Sequence, residues 1–492
     1  MAFRRIGKAL LPVASGVLAA LALPGLGFGP LVFVALVPWF WVLEERHGFR
    51  SGFLFAVALF ALDFRWILTL YRFTPLIALG YVLLVAYLAV PVGVAGLLLS
   101  WARRRRGPVA FLIVATAALT LVEFLRSLGP LGIGFSALHL ALFRTPVLVQ
   151  LAAYAGPLAI TACIVLCNAG VYLFLRERRP AHLFAVAAGL AVLALPALAP
   201  IPPDSPPAER IAVVASTVAQ EARLNSRNVP ALADRYLRLG DEAIAGNPDL
   251  VAFPESFLPS YILQSPDVFE RFADLARRGE TSILFGTGNW RNSRVYNSAV
   301  LLDPTGAVVG VYDMLRPVPF GEFVPGRSIW EGLGLGGLMS SLLPMDLTAG
   351  TDDRPIGGIG APICFESTFA AGSRNLVRHG ATLLVTVTND AWFVGSSELP
   401  THFAFGVFRA VETRRWFVQA ANGGISGIVA PDGRVAAATT TEGVLRGDVY
   451  RRSDMTVYAR LGDAPILAVL GIAAAVVLLV RRRSRTAKSE GE

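Results

Sequence analysis

The sequence predicts an integral membrane protein, an eight-helix transmembrane bundle carrying one extramembrane α/β domain. Three observations predict it. Of 492 residues, 54% are hydrophobic and only 16% are charged, a balance typical of membrane-embedded chains. Apolar stretches long enough to cross roughly 30 Å of hydrocarbon, about 20 residues each, recur through the first two hundred positions and once near the end. Residues 209–455 differ, being rich in Asp, Asn and Pro and holding no spanning stretch. The net charge of +9 does not point to a nucleic-acid partner, because the cations cluster at the ends of apolar stretches.

In chain order, the predicted spans lie near 9–27, 29–43, 51–71, 75–101, 108–126, 147–175, 181–200 and 464–480. Seven fall within 1–200; a stiff Pro-rich linker, 201–208, leads into the domain at 209–455. An eighth span, 464–481, and a basic tail, 482–492, follow. Arg4, Arg5 and Lys8 precede the first span, Arg46 and Arg50 follow the second, Arg103 to Arg106 the fourth, and Arg176, Arg178 and Arg179 the sixth. The alternate loops hold only Arg72, Arg126 and Arg144. By the positive-inside rule both termini are cytoplasmic and the large domain lies outside. The basic start also fits a signal peptide, but it leads straight into a second apolar stretch, so a retained anchor is expected.

Within the outer domain, apolar runs at 210–215, 250–254, 281–285, 297–302, 357–363, 382–387, 418–421 and 427–429 read as strands. Helical periodicity appears near 229–245, 267–278, 368–379 and 402–414. Hairpin signals stand at Asp303-Pro-Thr-Gly306 and Pro431-Asp-Gly433. Alternating strands and helices imply sheets covered by helices.

Chemistry gathers where strands end, the usual ligand-binding edge of α/β sheets. Leu250–Glu255 ends on a carboxylate, and Gly357–Cys364 ends on the one cysteine outside an apolar run. A cysteine nucleophile needs a base, and a carboxylate in an apolar pocket can have a pKa near neutrality. His379 and His402 lie on or open helices, so Cys–Glu is better supported than Cys–His. A lone cysteine in a strand is commonly a small core residue and Pro-Glu commonly a turn; their shared strand-end setting carries the functional reading. Asp63, Arg65, Glu123 and Arg126 lie within spans, where charges are functional or reach toward the interface.

Six motifs occur in order: Phe253-Pro-Glu255, Val318-Pro-Phe-Gly-Glu-Phe-Val-Pro325, Ile363-Cys-Phe-Glu366, Thr388-Asn-Asp-Ala-Trp-Phe393, His402 with Arg409-Ala-Val-Glu412, and Ala421-Asn-Gly423. They resemble the nitrilase, or carbon–nitrogen hydrolase, superfamily and above all its membrane branch, the apolipoprotein N-acyltransferases. The resemblance implies a nitrilase-like α-β-β-α sandwich. It also implies a cysteine thioester that takes an acyl chain from a phospholipid donor and passes it to the α-amine of a diacylated apolipoprotein acceptor. Cys364 would be the nucleophile and Glu255 the base, with Glu322 and Glu366 assisting; neither cofactor nor metal is implied. The setting is a bacterial inner membrane with the domain on the periplasmic side.

Three positions depart from the family pattern. Met314 stands where the family has lysine, and the chain's only lysines are Lys8 and Lys488. Phe365 replaces tyrosine, and no tryptophan lies near Leu224. Losing one oxyanion partner costs about 10²–10³ in rate. If 312–316 is extended, residues 314 and 316 share a face and Arg316 supplies the missing charge. The apolar, glycine-rich arm Ser328–Leu343 reads as a lid touching lipid, with Trp330, Leu335 and Leu338 as candidate substrate contacts. Alternatives are an impaired homologue that binds lipid or lipoprotein without turnover, and a membrane-tethered amidase. A transporter is disfavoured because the spans lack broken, polar-lined helices.

Overall fold

A computed structural model describes residues 2–44 and 47–489, with the backbone alone for residues 2–9, 478 and 480–489. Arg46, the side chains of Arg4, Arg5 and Lys8, and those of the basic tail 482–492 lie outside the described residues. Among the described residues, five helical segments are long and apolar enough to cross a membrane: Gly48–Arg72, Leu76–Arg105, Pro108–Arg126, Pro157–Glu177 and Pro180–Leu198. Shorter apolar helices occupy Leu10–Ala22, Gly29–Val42, Pro146–Ala155 and Ala464–Val477. The predicted stretch 147–175 is therefore not one helix. It breaks at Gly156, whose φ of +79° favours glycine and where a Cβ would collide with the Tyr458 ring. Pro157 then starts the next helix at the position where a missing N–H costs nothing.

The α/β domain has eleven strands: β1 (Glu209–Ala215), β2 (Leu250–Ala252), β3 (Ser282–Arg291), β4 (Arg294–Leu302), β5 (Val308–Asp313), β6 (Ile359–Gly360), β7 (Leu383–Asn389), β8 (Phe417–Asn422), β9 (Ser426–Val429), β10 (Val435–Thr439) and β11 (Gly443–Val449). One sheet runs β11-β1-β2-β3-β4-β5, the other β10-β9-β8-β7-β6. The period of two sets the layers. Ala212, Val214, Val251, Phe253, Ile283 and Phe285 pack with the helices Val229–Ile244 and Pro266–Gly279. Their alternates Ile211, Val213, Leu250, Ala252 and Leu284 join one core with β7, β8 and the helices Ala370–Arg378 and Glu398–Thr413. The result is the expected α-β-β-α sandwich.

Of the predicted strand 357–363 only Ile359–Gly360 pairs as a strand, because Gly357 and Gly358 take positive φ and Pro362 has no N–H to donate. Strands β5, β10 and β11 were not anticipated; all three are largely half-exposed or exposed, so they carry no continuous apolar run. The helix predicted at 402–414 begins earlier, at Glu398.

This domain is seated on the helical region through aromatic contacts. Ring centroids of Trp66 and Phe393 are 4.8 Å apart, Phe73 and Trp392 5.2 Å, and Phe135 and Phe405 5.3 Å. Asp63, Glu123 and Arg126 do not reach outward: Asp63 accepts from Ser136, Glu123 accepts the Leu138 N–H at 2.8 Å and the Thr161 hydroxyl at 2.7 Å, and Arg126 lies 5.2 Å from the Phe60 ring.

Candidate active site

Cys364 follows directly on the Ile363–Val387 bridge at the edge of the second sheet and opens the turn Cys364–Thr368 with φ of +48°. A left-handed backbone at a non-glycine residue costs about 1–3 kcal/mol and persists only when its surroundings hold it. Glu366 supplies the hold. Its buried carboxylate accepts N–H groups from Ile363 at 2.9 Å, Leu315 at 2.6 Å and Arg316 at 3.2 Å, and the Tyr312 hydroxyl at 3.3 Å. Glu366 thus ties the turn to the segment before Val318.

Glu255 comes from the other sheet, just past β2. Its Oε1 accepts from Asn297 Nδ2 at 2.6 Å and its Oε2 from the Asn389 N–H at 2.8 Å, and the Cys364 thiol is among its side-chain partners. Asn297 Nδ2 also donates to Glu322 Oε1 at 3.2 Å and lies 3.8 Å from Met314 Sδ. Glu322 Oε2 accepts the Val318 N–H at 2.7 Å. The fold therefore gathers Cys364, Glu255, Glu322, Glu366 and Met314 at the carboxyl ends of the strands. Met314, only 1% exposed, faces this group with a thioether.

Electrostatics match a buried proton-transfer site. Burial, Glu255 and Asp390 hold the Cys364 thiol well above its ordinary pKa, so it rests protonated. Burial raises Glu255, against the hydrogen bond from Asn297 and the charge of Arg223. Burial and then Glu255 push Glu322 to about 8, and burial takes Glu366 to about 7. Only a carboxylate beside a thiol, with neighbouring carboxyls kept neutral, leaves one clear proton acceptor.

His402 does not touch the thiol. Its Nδ1 lies 3.0 Å from Asp390 Oδ1 and its Nε2 3.0 Å from the Cys364 carbonyl. Burial would lower its pKa, but Asp390 and Glu398 raise it to about 10, so both nitrogens donate. Asp390, Glu398 and His402 stand close enough to hold a metal ion, yet both imidazole nitrogens are engaged in hydrogen bonds. A carboxyl or imidazolium whose pKa is raised by folding binds its proton more tightly in the folded state. Stability therefore falls as pH rises from the unfolded value through the folded one. Glu366 at about 7, Glu322 and Glu398 at about 8, and His402 at about 10 all act in this direction. The melting temperature in detergent is expected to drop between pH 6 and pH 9; a rise over that range would contradict these assignments.

Phe365 and Arg316 lie on the wall of an adjoining cleft of about 450 Å³, opposite Gly129, Pro130 and Gly132 of the helical region. The Arg316 guanidinium stacks 4.4 Å from the Phe369 ring and donates to the Ser127 carbonyl at 3.4 Å. The arm carrying Trp330, Leu335 and Leu338 forms two short helices, Arg327–Gly332 and Gly336–Leu342. Leu335 and Leu338 are exposed, while Trp330 donates to the Pro325 carbonyl at 3.0 Å. The arm is clamped at its base, where Arg327 pairs with Asp346 and the Leu347 N–H donates to the Glu322 carbonyl at 2.7 Å.

Sequence reasoning missed Asn297, Asn389 and Arg223. The first two sat inside runs read only as strand or motif. Arg223 follows the first strand by several residues and is near the site only because that strand lies beside β2.

Comparison with known proteins gives the family. Residues 210–453 match the carbon-nitrogen hydrolase family and residues 15–170 the apolipoprotein N-acyltransferase N-terminal domain. A protein of Geobacter metallireducens named apolipoprotein N-acyltransferase is 32% identical over 96% of this chain and 95% of its own. One of the same name from Thermotoga maritima is 29% identical over 99% of this chain and 96% of its own. Among solved structures, an amidase from Nesterenkonia sp. is 18% identical, with a TM-score of 0.40 over 52% of this chain and 94% of the amidase. The chain belongs to the apolipoprotein N-acyltransferase family.

Proposed function

We propose that this family member transfers a fatty acyl chain from a phospholipid to the α-amine of the diacylglyceryl-cysteine at a lipoprotein N-terminus, through a thioester on Cys364. The observation that carries this reading is the buried Cys364–Glu255 pair, joined across two sheets beside a cleft that adjoins an apolar helical region. Glu255 takes the thiol proton as sulfur attacks the ester carbonyl. A C–S bond forms, the ester C–O bond breaks, and the departing lysophospholipid oxygen takes the proton from Glu255. In the second half the lipoprotein amine attacks the thioester. The amide forms, the C–S bond breaks, and the amine's proton returns to Cys364 by way of Glu255. The first N–H groups of the turn Cys364–Thr368 serve the oxyanion.

The reading includes a bacterial inner-membrane setting with eight spans, the domain on the periplasmic face and both termini in the cytoplasm. The cleft beside Phe365 and Arg316 takes the donor. The arm with Trp330, Leu335 and Leu338 rests on lipid and shelters the acyl tail, which accounts for its exposed apolar residues: Ile329 is 66% and Leu333 67% exposed. Met314 favours a second reading, a homologue that binds without turnover, because a thioether offers an oxyanion no charge.

Incubating the purified protein with phospholipid and weighing it separates the two. An acyl adduct on Cys364, lost in Cys364→Ser and discharged by a diacylated lipopeptide, supports the enzyme. No adduct in wild type with an adduct in Met314→Lys establishes the impaired reading.

A further inference from the structure

A buried site that must carry a negative charge through two acyl transfers needs a fixed cation, and the outer domain has no lysine. Besides Arg409, which pairs with Glu412 and donates to the Ser367 carbonyl, three cationic groups among the described residues stand around the turn of Cys364. His402 is held beneath the turn by Asp390 and the Cys364 carbonyl. The Arg316 guanidinium is turned to Phe369 and the Ser127 carbonyl. The third is Arg223, on the single helical turn Gln220–Arg223 after β1.

Arg223 is placed by contacts that also place Glu255. Its Nη1 donates to the carbonyl of Ser256, the residue following the base. Its Nε lies 3.3 Å from Gln220 Oε1. The Asn389 side-chain amide is beside it; turned with oxygen toward the guanidinium, it accepts from Nη2 at 3.0 Å and Nε at 3.2 Å. Asn389 is also the residue whose N–H donates to Glu255 Oε2. Two of the guanidinium's three neighbours, Ser256 and Asn389, are thus joined to Glu255, one through the chain and one through a hydrogen bond.

The segment that carries Arg223 is fastened as well. Asn422 Oδ1 accepts from the Val218 N–H at 2.9 Å and the Ser216 hydroxyl at 2.8 Å, and Asn422 Nδ2 donates to the Val218 carbonyl at 3.0 Å. A solvent-facing arginine would not be given such a scaffold.

We propose that Arg223 is the cation of this active site, a positioning residue whose charge keeps Glu255 ionised as the base for Cys364 and balances the negative charge that passes to sulfur and to the oxyanion. This rests on the Cys364–Glu255 reading above and assigns the role that Met314 cannot fill. The charges facing the pair give the reason. Asp390 adds negative potential around Cys364, and Glu255, Tyr236 and the Cys364 thiol are the groups that face the Arg223 guanidinium. Removing the guanidinium leaves Glu255 in a buried, net-negative pocket, where it takes up a proton and ceases to be a base.

The test uses the full-length protein in detergent and iodoacetamide, which needs neither lipid nor lipoprotein, so it reads the thiol even if the acyl-transfer reading fails. The pH profile of Cys364 alkylation is measured in wild type, Arg223→Lys, Arg223→Gln and Arg223→Met, with melting curves to confirm folding. The proposal expects the midpoint to move to higher pH by about one unit or more in Gln and Met, the size of effect a close opposite charge exerts, and to return in Lys. An unchanged midpoint in the neutral variants, even with slower alkylation, overturns it. So does a shift of equal size in Lys. Failure of both neutral variants to fold also overturns it, because Arg223 is then a structural bond to Ser256.

Discussion

Glu255→Gln is expected to slow thioester formation by about 10²–10⁴-fold while the protein keeps its fold. Glutamine has nearly the same shape, keeps one acceptor oxygen for one of the two donors, the Asn297 amide or the Asn389 N–H, and cannot accept the thiol proton. The Cys364 thiol rests well above its usual pKa, so almost no thiolate exists without the base. Single-turnover acylation followed by mass spectrometry measures the loss. Raising the pH recovers part of the rate in Glu255→Gln, since hydroxide then ionises the thiol. A variant with wild-type rate would remove Glu255 from the mechanism.

The largest expected structural effect is at Glu366. In Glu366→Ala the N–H groups of Ile363, Leu315 and Arg316 lose a common acceptor. Each buried orphan costs about 1–3 kcal/mol, so the loss is expected to reach about 3 kcal/mol or more. Because Glu366 also holds the left-handed backbone of Cys364, that residue relaxes and acylation is lost with it. Glu366→Gln keeps one acceptor oxygen and is expected to fall between. Thermal melting and acylation, measured together, check both. An alanine variant as stable as wild type would show that Glu366 is not the anchor of the turn.

The sandwich was legible wherever burial was complete. Strands β7 and β8 are buried throughout and β1 from Ile211 onward, with mostly apolar residues, and the helices Val229–Ile244 and Pro266–Gly279 show a clean period. What escaped was set by partners distant in sequence. β11 is half-exposed and exists because β1 pairs with it along its whole length. The break at Gly156 answers to Tyr458, which lies three hundred residues away. In the site, the carboxylates and the thiol were visible because their chemistry is unusual at strand ends. Asn297, Asn389 and Arg223 were not, since an amide or a guanidinium carries no signal until the fold says what it faces. Extended spacing put Arg316 on the side of Met314, whereas its guanidinium packs on Phe369 because Pro317 and the hold of Glu366 on its N–H turn the chain.

Cys364 and Glu255 stand at the ends of different sheets, and Asn422 stitches the end of β8 to the chain leaving β1. The last strand of the domain, β11, completes the sheet that carries the base. A ribosome releases these pieces in sequence, so Glu255 emerges long before Cys364, and the proposed pair is assembled only when the two sheets close on each other. In the proposed reaction an unfinished chain therefore lacks its base and its oriented thiol, and thioester formation begins only with closure of the sandwich.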